Sequence, residues 1–275
     1  MNFIEKLEKS WEKSNSLVCV GLDPDLSRFP EHIKNQSGAI FSFLKDIVDA
    51  THDIACCFKP QIAYFSAISA EDELQQVIKY IKTEYPHIPV ILDAKRGDIG
   101  STSRMYAVES FERYEADAVT INPYMGFDSV QPFLEYRDRG IAFLCRTSNA
   151  GASDIQDLLV DGLPLYEHIA KIVHEKWNVH KNSLLVVGAT WPQQMEKIRS
   201  LVGDMPFLVP GVGSQGGNVE ELVKAGQTEN GTGLIISASR AILYASQDPD
   251  YAEVARSVTI DLKDNINLHR SKKSP

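Results

Sequence analysis

Charged residues stand at spacings suited to acid–base chemistry in the segment LDAKRGDIGST, residues 92–102. Asp93 and Lys95 are two apart in a predicted strand, so their side chains share one face and can form an ion pair. Asp98 follows in a glycine-flanked turn, and Lys59 ends the preceding predicted strand. The four could form a row of alternating charges in which each sets its neighbour's protonation. A purely structural ion network is the competing interpretation.

Polar residues also stand at, or just beyond, the ends of the other predicted strands. They include Asp23, Asn122, Ser148, Gln215 and Arg240. Each one alone could be a helix cap or a turn residue. As a set they indicate an enzyme, because the carboxyl ends of the strands of an α/β barrel build its active site.

Two segments late in the chain predict a phosphate site. VPGVGSQGG, residues 209–217, follows a predicted strand, and SASRAILY, residues 237–244, passes from the next strand into a helix and supplies Arg240 as a cation. Barrels commonly bind phosphate at these positions. The absence of GxxxxGK[ST] and of an N-terminal glycine-rich βαβ unit disfavours nucleotide-triphosphate and dinucleotide sites.

Eight short apolar runs alternate with longer amphipathic ones, which is typical of repeated βα units. The runs cover residues 17–23, 54–60, 88–95, 116–123, 140–148, 183–190, 205–211 and 233–239. Their near-continuous hydrophobicity fits parallel strands covered on both faces. We predict an α/β fold, a single (β/α)8 TIM barrel over residues 1–268 with an extra N-terminal helix, and a short polar tail over 269–275. A doubly wound open sheet is the alternative.

Composition excludes several other classes of protein. A net charge of −9 over 275 residues argues against broad contact with nucleic acid or an anionic membrane. The N-terminus is charged throughout and no run approaches the ~18 apolar residues of a membrane span, so we expect a cytoplasmic protein. The four cysteines lie in apolar runs without metal-ligand spacing, and the seven histidines are scattered. We therefore expect buried, reduced thiols and no metal site.

The segment DAKRGDIGST resembles the D-x-K-x-x-D-I-x-x-T signature of the orotidine 5′-phosphate decarboxylases. Further matching segments occur in the family's order, so the resemblance extends from the first predicted strand to the last. They are GLDPD (21–25), FKPQ (58–61), NPYMG (122–126), TSNAG (147–151), PGVGSQGG (210–217) and SRAI (239–242). The sequence RGDIG and the long loop after the fifth predicted strand resemble those of the longer bacterial subgroup of this family. Ser103 departs from the apolar residue or alanine more usual there.

The resemblance implies a carboxy-lyase that converts orotidine 5′-monophosphate to uridine 5′-monophosphate and CO2, in pyrimidine biosynthesis, without a metal or organic cofactor. It implies that Lys95 is the cation and proton donor at pyrimidine C6, and that Asp93 lies against the departing carboxylate. It also implies a homodimer with shared active sites, in which Asp98, Ile99 and Thr102 enter the neighbouring subunit's site.

The same resemblance implies where the rest of the substrate is held. Lys59 and Asp23 would hold the ribose hydroxyls, Ser148 would read the pyrimidine edge, and Arg240 would hold the phosphate. Further substrate-binding positions would be Asn122, Pro210, Gln215 and Ser239, with Gln215 on a closing loop.

Two other classes of function remain alternatives. A metal-dependent sugar-phosphate decarboxylase or aldolase of the same barrel superfamily shares D-x-K-x-x-D and the phosphate loops. That group has an acidic metal ligand at the end of the second strand, where Lys59 is unsuited to holding Mg²⁺. A regulatory nucleotide-binding module without catalysis would be expected to lack at least one of the four charged residues of the predicted row. This sequence has all four.

Overall fold

Eight parallel strands form the framework of the chain in a computed structural model that describes residues 1–212 and 218–271. Each of the eight apolar runs overlaps one of them, and the third strand extends one residue beyond its run, to Arg96. The strands are β1 (Val18–Leu22), β2 (Cys57–Pro60), β3 (Ile91–Arg96), β4 (Ala118–Ile121), β5 (Gly140–Arg146), β6 (Ser183–Val187), β7 (Phe207–Pro210) and β8 (Leu234–Ala238). The predicted α/β fold is therefore confirmed.

The strands pair in chain order and return on themselves. β1 pairs with β8 on one side and with β2 on the other, and neighbours continue in sequence from β3 to β8. Isolated parallel bridges from Phe58 to Val90 and from Gln61 to Asp93 join β2 to β3. This closure makes a (β/α)8 barrel and shows that the alternative of a doubly wound open sheet is wrong.

Helices cover the outside of the barrel. In the described part of the chain they are α1 (Phe3–Ser14), α2 (Glu31–Lys34), α3 (Ala39–Thr51), α4 (Ile62–Ser66), α5 (Glu71–Glu84), α6 (Gly100–Val108), α7 (Phe127–Leu134), α8 (Leu165–Ile172), α9 (Pro192–Val202), α10 (Val219–Gly226), α11 (Arg240–Leu243) and α12 (Tyr251–His269). None of these described helices has the length and apolar character needed to cross a membrane.

α12 includes His269, the first residue of the predicted polar tail, and Arg270 Nε donates to Gly231 O at 2.7 Å.

The four cysteines are free and buried, as predicted from their apolar surroundings. Burial raises the pKa of the Cys145 thiol. The pKa of Cys57 is raised as well, by burial and by the neighbouring thiols of Cys19 and Cys56. The Cys57 and Cys145 thiols therefore stay protonated, and all four cysteines act as small packing side chains.

The predicted N-terminal helix, α1, closes the barrel end opposite the carboxyl ends of the strands. Asn2 and Glu5 form a reciprocal capping box at its start. Phe3 N donates to Asp138 O at 2.9 Å, just before β5. Gly140 begins β5, and a Cβ there would lie 2.4 Å from the Phe3 ring, so the glycine makes room for the aromatic side chain.

Because Phe3 is 1% exposed and fills this end of the core, Phe3→Ala leaves a cavity. We expect the free energy of unfolding to fall by about 3–5 kcal/mol. Urea unfolding followed by circular dichroism measures the loss. Val179→Ala, at a position that is 75% exposed, is the control and should change stability by no more than about 0.5 kcal/mol. Equal effects of the two substitutions would contradict the role given to α1.

Candidate active site

Three of the four charges predicted to form a row lie together at the carboxyl ends of β2 and β3. Lys95 Nζ is 2.7 Å from Asp93 Oδ1, and Lys59 Nζ is 3.2 Å from Asp93 Oδ2. Lys59 and Asp93 are buried, whereas the Lys95 side chain is 48% exposed. The Asp93 carboxylate thus joins a cation inside the barrel to a cation that faces solvent.

The two lysines keep the Asp93 carboxylate ionised in spite of its burial. Burial alone would raise the pKa of Asp93, but the charges of Lys59 and Lys95 and two hydrogen bonds lower it to about 2. Burial likewise acts to lower the pKa of Lys59, and the charges of Asp93 and Asp23 outweigh it, so that this pKa is raised. Both groups are charged at neutral pH, and neither would be stable in this position without the other.

The sequence analysis missed Thr120, which contacts the same carboxylate from β4. Its hydroxyl donates to Asp93 Oδ1 at 2.9 Å and accepts from the backbone N–H groups of Ala94 at 3.0 Å and Lys95 at 2.9 Å. Its polarity within the apolar run ADAVTINP is the only signal that could have indicated it. Threonine is also a common strand residue, so that signal is weak.

β3 is not a regular strand where it carries the charges. Leu92 pairs with Val119 and Arg96 with Ile121, so the three residues 93–95 lie opposite Thr120 alone. Lys95 has a left-handed backbone with φ of 48°, which costs a non-glycine residue about 1 kcal/mol. The side chains of Asp93 and Lys95 do form the predicted ion pair. They are brought together by a β-bulge, and not by the regular alternation of side chains along a strand.

Asp98, the fourth predicted member of the row, is not joined to it within one chain. Its Oδ1 accepts from the backbone N–H of Ile99 at 2.8 Å, and no ion pair of Asp98 occurs among the described residues. Ile99 is 56% exposed, and Thr102 is exposed at the start of α6. Asp98 itself is half-buried, so all three residues are at least partly accessible to solvent after the carboxyl end of β3.

Asp23 and Ser239 follow the carboxyl ends of the neighbouring strands β1 and β8. A Cβ on Gly21 would lie 2.7 Å from Ser239 Cβ, so glycine permits this close approach. Asp23 Oδ1 and Ser239 Oγ are buried and have no hydrogen-bond partner in the described part of the chain. Tyr244 Oη donates to Asp23 O at 2.7 Å and fixes the backbone there. The two unpaired oxygens are suited to a polar ligand.

A buried arginine supports the backbone that carries Ser148. Arg146 is 1% exposed; its Nη2 donates to Asp157 Oδ2 at 3.1 Å and its Nη1 to Thr147 O at 2.9 Å. Gln156 contributes Oε1 to the Thr147 N–H at 2.8 Å. These contacts join the start of the loop after β5 to residues 156 and 157 within it. They were not predicted from the sequence, because a strand-end arginine is ordinarily solvated.

Ser148 itself rests against the end of β6. A Cβ on Gly188 would lie 2.6 Å from Ser148 N and 2.7 Å from its Cα, so only glycine lets the two backbones approach this closely. The missing side chain at Gly188 therefore determines where Ser148 lies. No signal in the sequence distinguished this glycine from others in turns.

The remaining predicted substrate-binding residues occupy different surroundings. Asn122 Oδ1 accepts from Tyr124 N at 3.0 Å and so caps a turn. Pro210 ends β7, and the exposed Arg240 begins α11 after β8. Gln215 lies outside the described residues. Among those that are described, no three His, Cys, Asp or Glu side chains come together in a way that could hold a metal ion.

Comparisons with known proteins find relatives of this chain over nearly its whole length. The model of the "Orotidine 5'-phosphate decarboxylase / HUMPS family" matches residues 16–256. The orotidine 5′-phosphate decarboxylase of Cellvibrio japonicus is 62% identical over 98% of this chain and 100% of its own length. That of a Janthinobacterium strain is 58% identical over 98% and 99%. Among solved structures, Leishmania donovani OMP decarboxylase has a TM-score of 0.85 and 36% identity, covering 98% of this chain and 99% of its own.

The low pKa of Asp93 predicts an acid dependence of stability. The folded-state pKa of about 2 lies below the value of about 4 in an unfolded chain, so the carboxylate stabilises the fold fully above pH 4 and less as pH falls toward 2. We expect this residue to account for a loss of about 2 kcal/mol in unfolding free energy across that window. Urea unfolding at several pH values should show it in the wild type.

The comparison variant is Asp93→Asn, in which that component of the acid dependence should be absent. Asp261→Asn, on the exposed part of α12, is the control and should retain the wild-type profile. Parallel stability curves for Asp93→Asn and the wild type would show that the ion cluster does not contribute as described.

Proposed function

Because the chain belongs to the orotidine 5′-phosphate decarboxylase / HUMPS family, we propose that it removes CO2 from orotidine 5′-monophosphate to give uridine 5′-monophosphate. The observation that carries the proposal is the buried Asp93 carboxylate between Lys59 and the solvent-facing Lys95. We further propose that the reaction needs no cofactor and takes place in the cytoplasm, as part of pyrimidine biosynthesis.

The cluster suits the electronic demand of this reaction. Loss of CO2 from pyrimidine C6 leaves electrons on a carbon that has no ordinary electron sink, so a fixed cation and a ready proton must stabilise it. The Lys95 ammonium supplies both. Its side chain is half exposed and can reach a bound base, and Asp93 at 2.7 Å holds the ammonium in place. Asp93 lies against the departing carboxylate in this arrangement.

Groups around the cluster would hold the rest of the substrate. Lys59 and Asp23 would hold the ribose hydroxyls, and Asp23 Oδ1, which is buried without a hydrogen-bond partner among the described residues, supports that role. Ser148 would meet the pyrimidine edge. The phosphate would bind at the ends of β7 and β8, where Arg240 is exposed and Ser239 Oγ has no hydrogen-bond partner in the described part of the chain. Further positions assigned to substrate binding are Asn122, Pro210 and Gln215.

The proposal includes a homodimer with shared sites. Ile99 and Thr102 are exposed, and Asp98 is partly exposed and makes no ion pair among the described residues, which suits entry of the three into a neighbouring subunit's site. Exposed apolar side chains on and just before α6, on α7 and in the turn before α7 would be covered by such a neighbour. They are Ile99 at 56%, Met105 at 58%, Tyr124 at 77%, Met125 at 44% and Phe127 at 48%.

The decisive experiment is turnover of orotidine 5′-monophosphate in excess EDTA, followed by the loss of its absorbance. We expect full activity for the wild type. Lys95→Ala should lower kcat by roughly 1000-fold or more, because the fixed cation is lost, while uridine 5′-monophosphate still binds. Lys197→Ala, on the exposed face of α9, is the control and should be fully active. Normal turnover by Lys95→Ala would contradict the proposal, and strict dependence on added Mg²⁺ would favour the sugar-phosphate class.

Mixing inactive Lys95→Ala and Asp98→Ala subunits tests the shared site. Each hybrid dimer would contain one site with both residues intact, so random exchange at equal concentrations should restore about one quarter of wild-type activity. Lys95→Ala mixed with Asp93→Ala is the control, since both residues belong to the same chain's site and every hybrid site stays defective. With exchange verified by a tag on one subunit, absence of recovery in the first mixture would exclude the action of Asp98 across the interface.

A further inference from the structure

We infer that Thr120 is a positioning residue for decarboxylation, and that its single hydroxyl holds the Asp93 carboxylate and the Lys95 backbone in a fixed relation. The inference rests on the proposed function, because the two residues it holds are the groups proposed to act on the substrate. Thr120 is 1% exposed and lies behind them on β4, so it would act through them rather than by touching the substrate.

The hydroxyl uses all of its hydrogen-bonding capacity in these contacts. A threonine hydroxyl has one proton to donate and two lone pairs that accept. The N–H groups of Ala94 and Lys95 occupy the two acceptor positions, at 3.0 and 2.9 Å. The one proton is therefore directed to Asp93 Oδ1 at 2.9 Å. The hydroxyl therefore has no proton or lone pair left for a further hydrogen bond.

The bulge in β3 creates the need for this residue. Three residues of β3 lie opposite Thr120 alone, so the carbonyl groups of β4 are too few to accept a hydrogen bond from each of their N–H groups. The Thr120 hydroxyl accepts hydrogen bonds from two of those N–H groups and so stabilises the left-handed backbone of Lys95. The direction in which the Lys95 side chain leaves the barrel depends on that backbone conformation.

The same contact limits the movement of Asp93. Oδ1 accepts from both Thr120 and Lys95 Nζ, and Oδ2 is paired with Lys59, so neither oxygen is free to turn. Without the hydroxyl, the carboxylate keeps its ionic partners but loses its attachment to β4. The ammonium and carboxylate would then remain present but less accurately placed against the substrate.

Thr120→Val tests the inference, since valine replaces the hydroxyl by a methyl of similar size. We expect kcat for orotidine 5′-monophosphate to fall roughly 10- to 100-fold, because small misplacements of reacting groups have effects of this size. The affinity for uridine 5′-monophosphate, measured by calorimetry, should stay close to the wild-type value. Thr120→Ser keeps the hydroxyl and should restore most of kcat. If the valine variant does not fold, Thr120→Ala is measured against the same criteria.

Thr259→Val is the matched control, because Thr259 is also fully buried and its hydroxyl donates to Ala255 O at 2.7 Å in α12. It should leave kcat unchanged. Wild-type kcat in Thr120→Val, equal losses in Thr120→Val and Thr120→Ser, or a parallel loss of nucleotide affinity would each overturn the inference. Absence of turnover by the wild-type protein would instead contradict the proposed function itself.

Discussion

The arrangement of the site depends on one buried carboxylate held between two ammonium groups. Removing Asp93 and Lys59 from water is costly, and their mutual attraction offsets that cost only while both stay in place. β2 must therefore carry a lysine near its carboxyl end, next to the point where β3 bulges. The closure of the barrel between β2 and β3, through the bridges at Phe58 and Gln61, brings the two together. The ion pair at the site therefore forms only if β2 and β3 are paired as they are in the closed barrel.

Much of the barrel was predictable from sequence because its strands are buried on both faces and so are nearly continuously apolar. For the same reason the polar residues that follow them, such as Asp93 and Lys59, were conspicuous. The closure of the sheet followed from the count of eight βα units. The register of β3 was not predictable, since it depends on contacts with a distant segment, β4. The π-helical turns that end α6 and α8, Glu109–Arg113 and Val173–Trp177, likewise read as ordinary helix in the amphipathic pattern.

The parts of the site that the sequence did not indicate are those whose side chains have an unremarkable local context. Thr120 fits a strand on propensity alone, and Arg146 resembles a solvated strand-end residue until its burial and its contacts with Asp157 and Thr147 are known. Gly188 is informative only once Ser148 is found against it. Asp98 is the converse case. Its motif predicted membership of the charge row, but within one chain it makes no ion pair with the described residues. Sequence spacing alone does not say whether a side chain serves its own chain or a neighbouring copy.

The left-handed backbone of Lys95 places two opposing demands on one position. Glycine or asparagine would relieve the backbone there, and only lysine supplies the ammonium group. Under selection for folding alone, a library varied at this codon should drift toward glycine, and under selection for pyrimidine prototrophy it should return to lysine. The position is therefore one where thermal robustness and metabolic fitness favour different alleles.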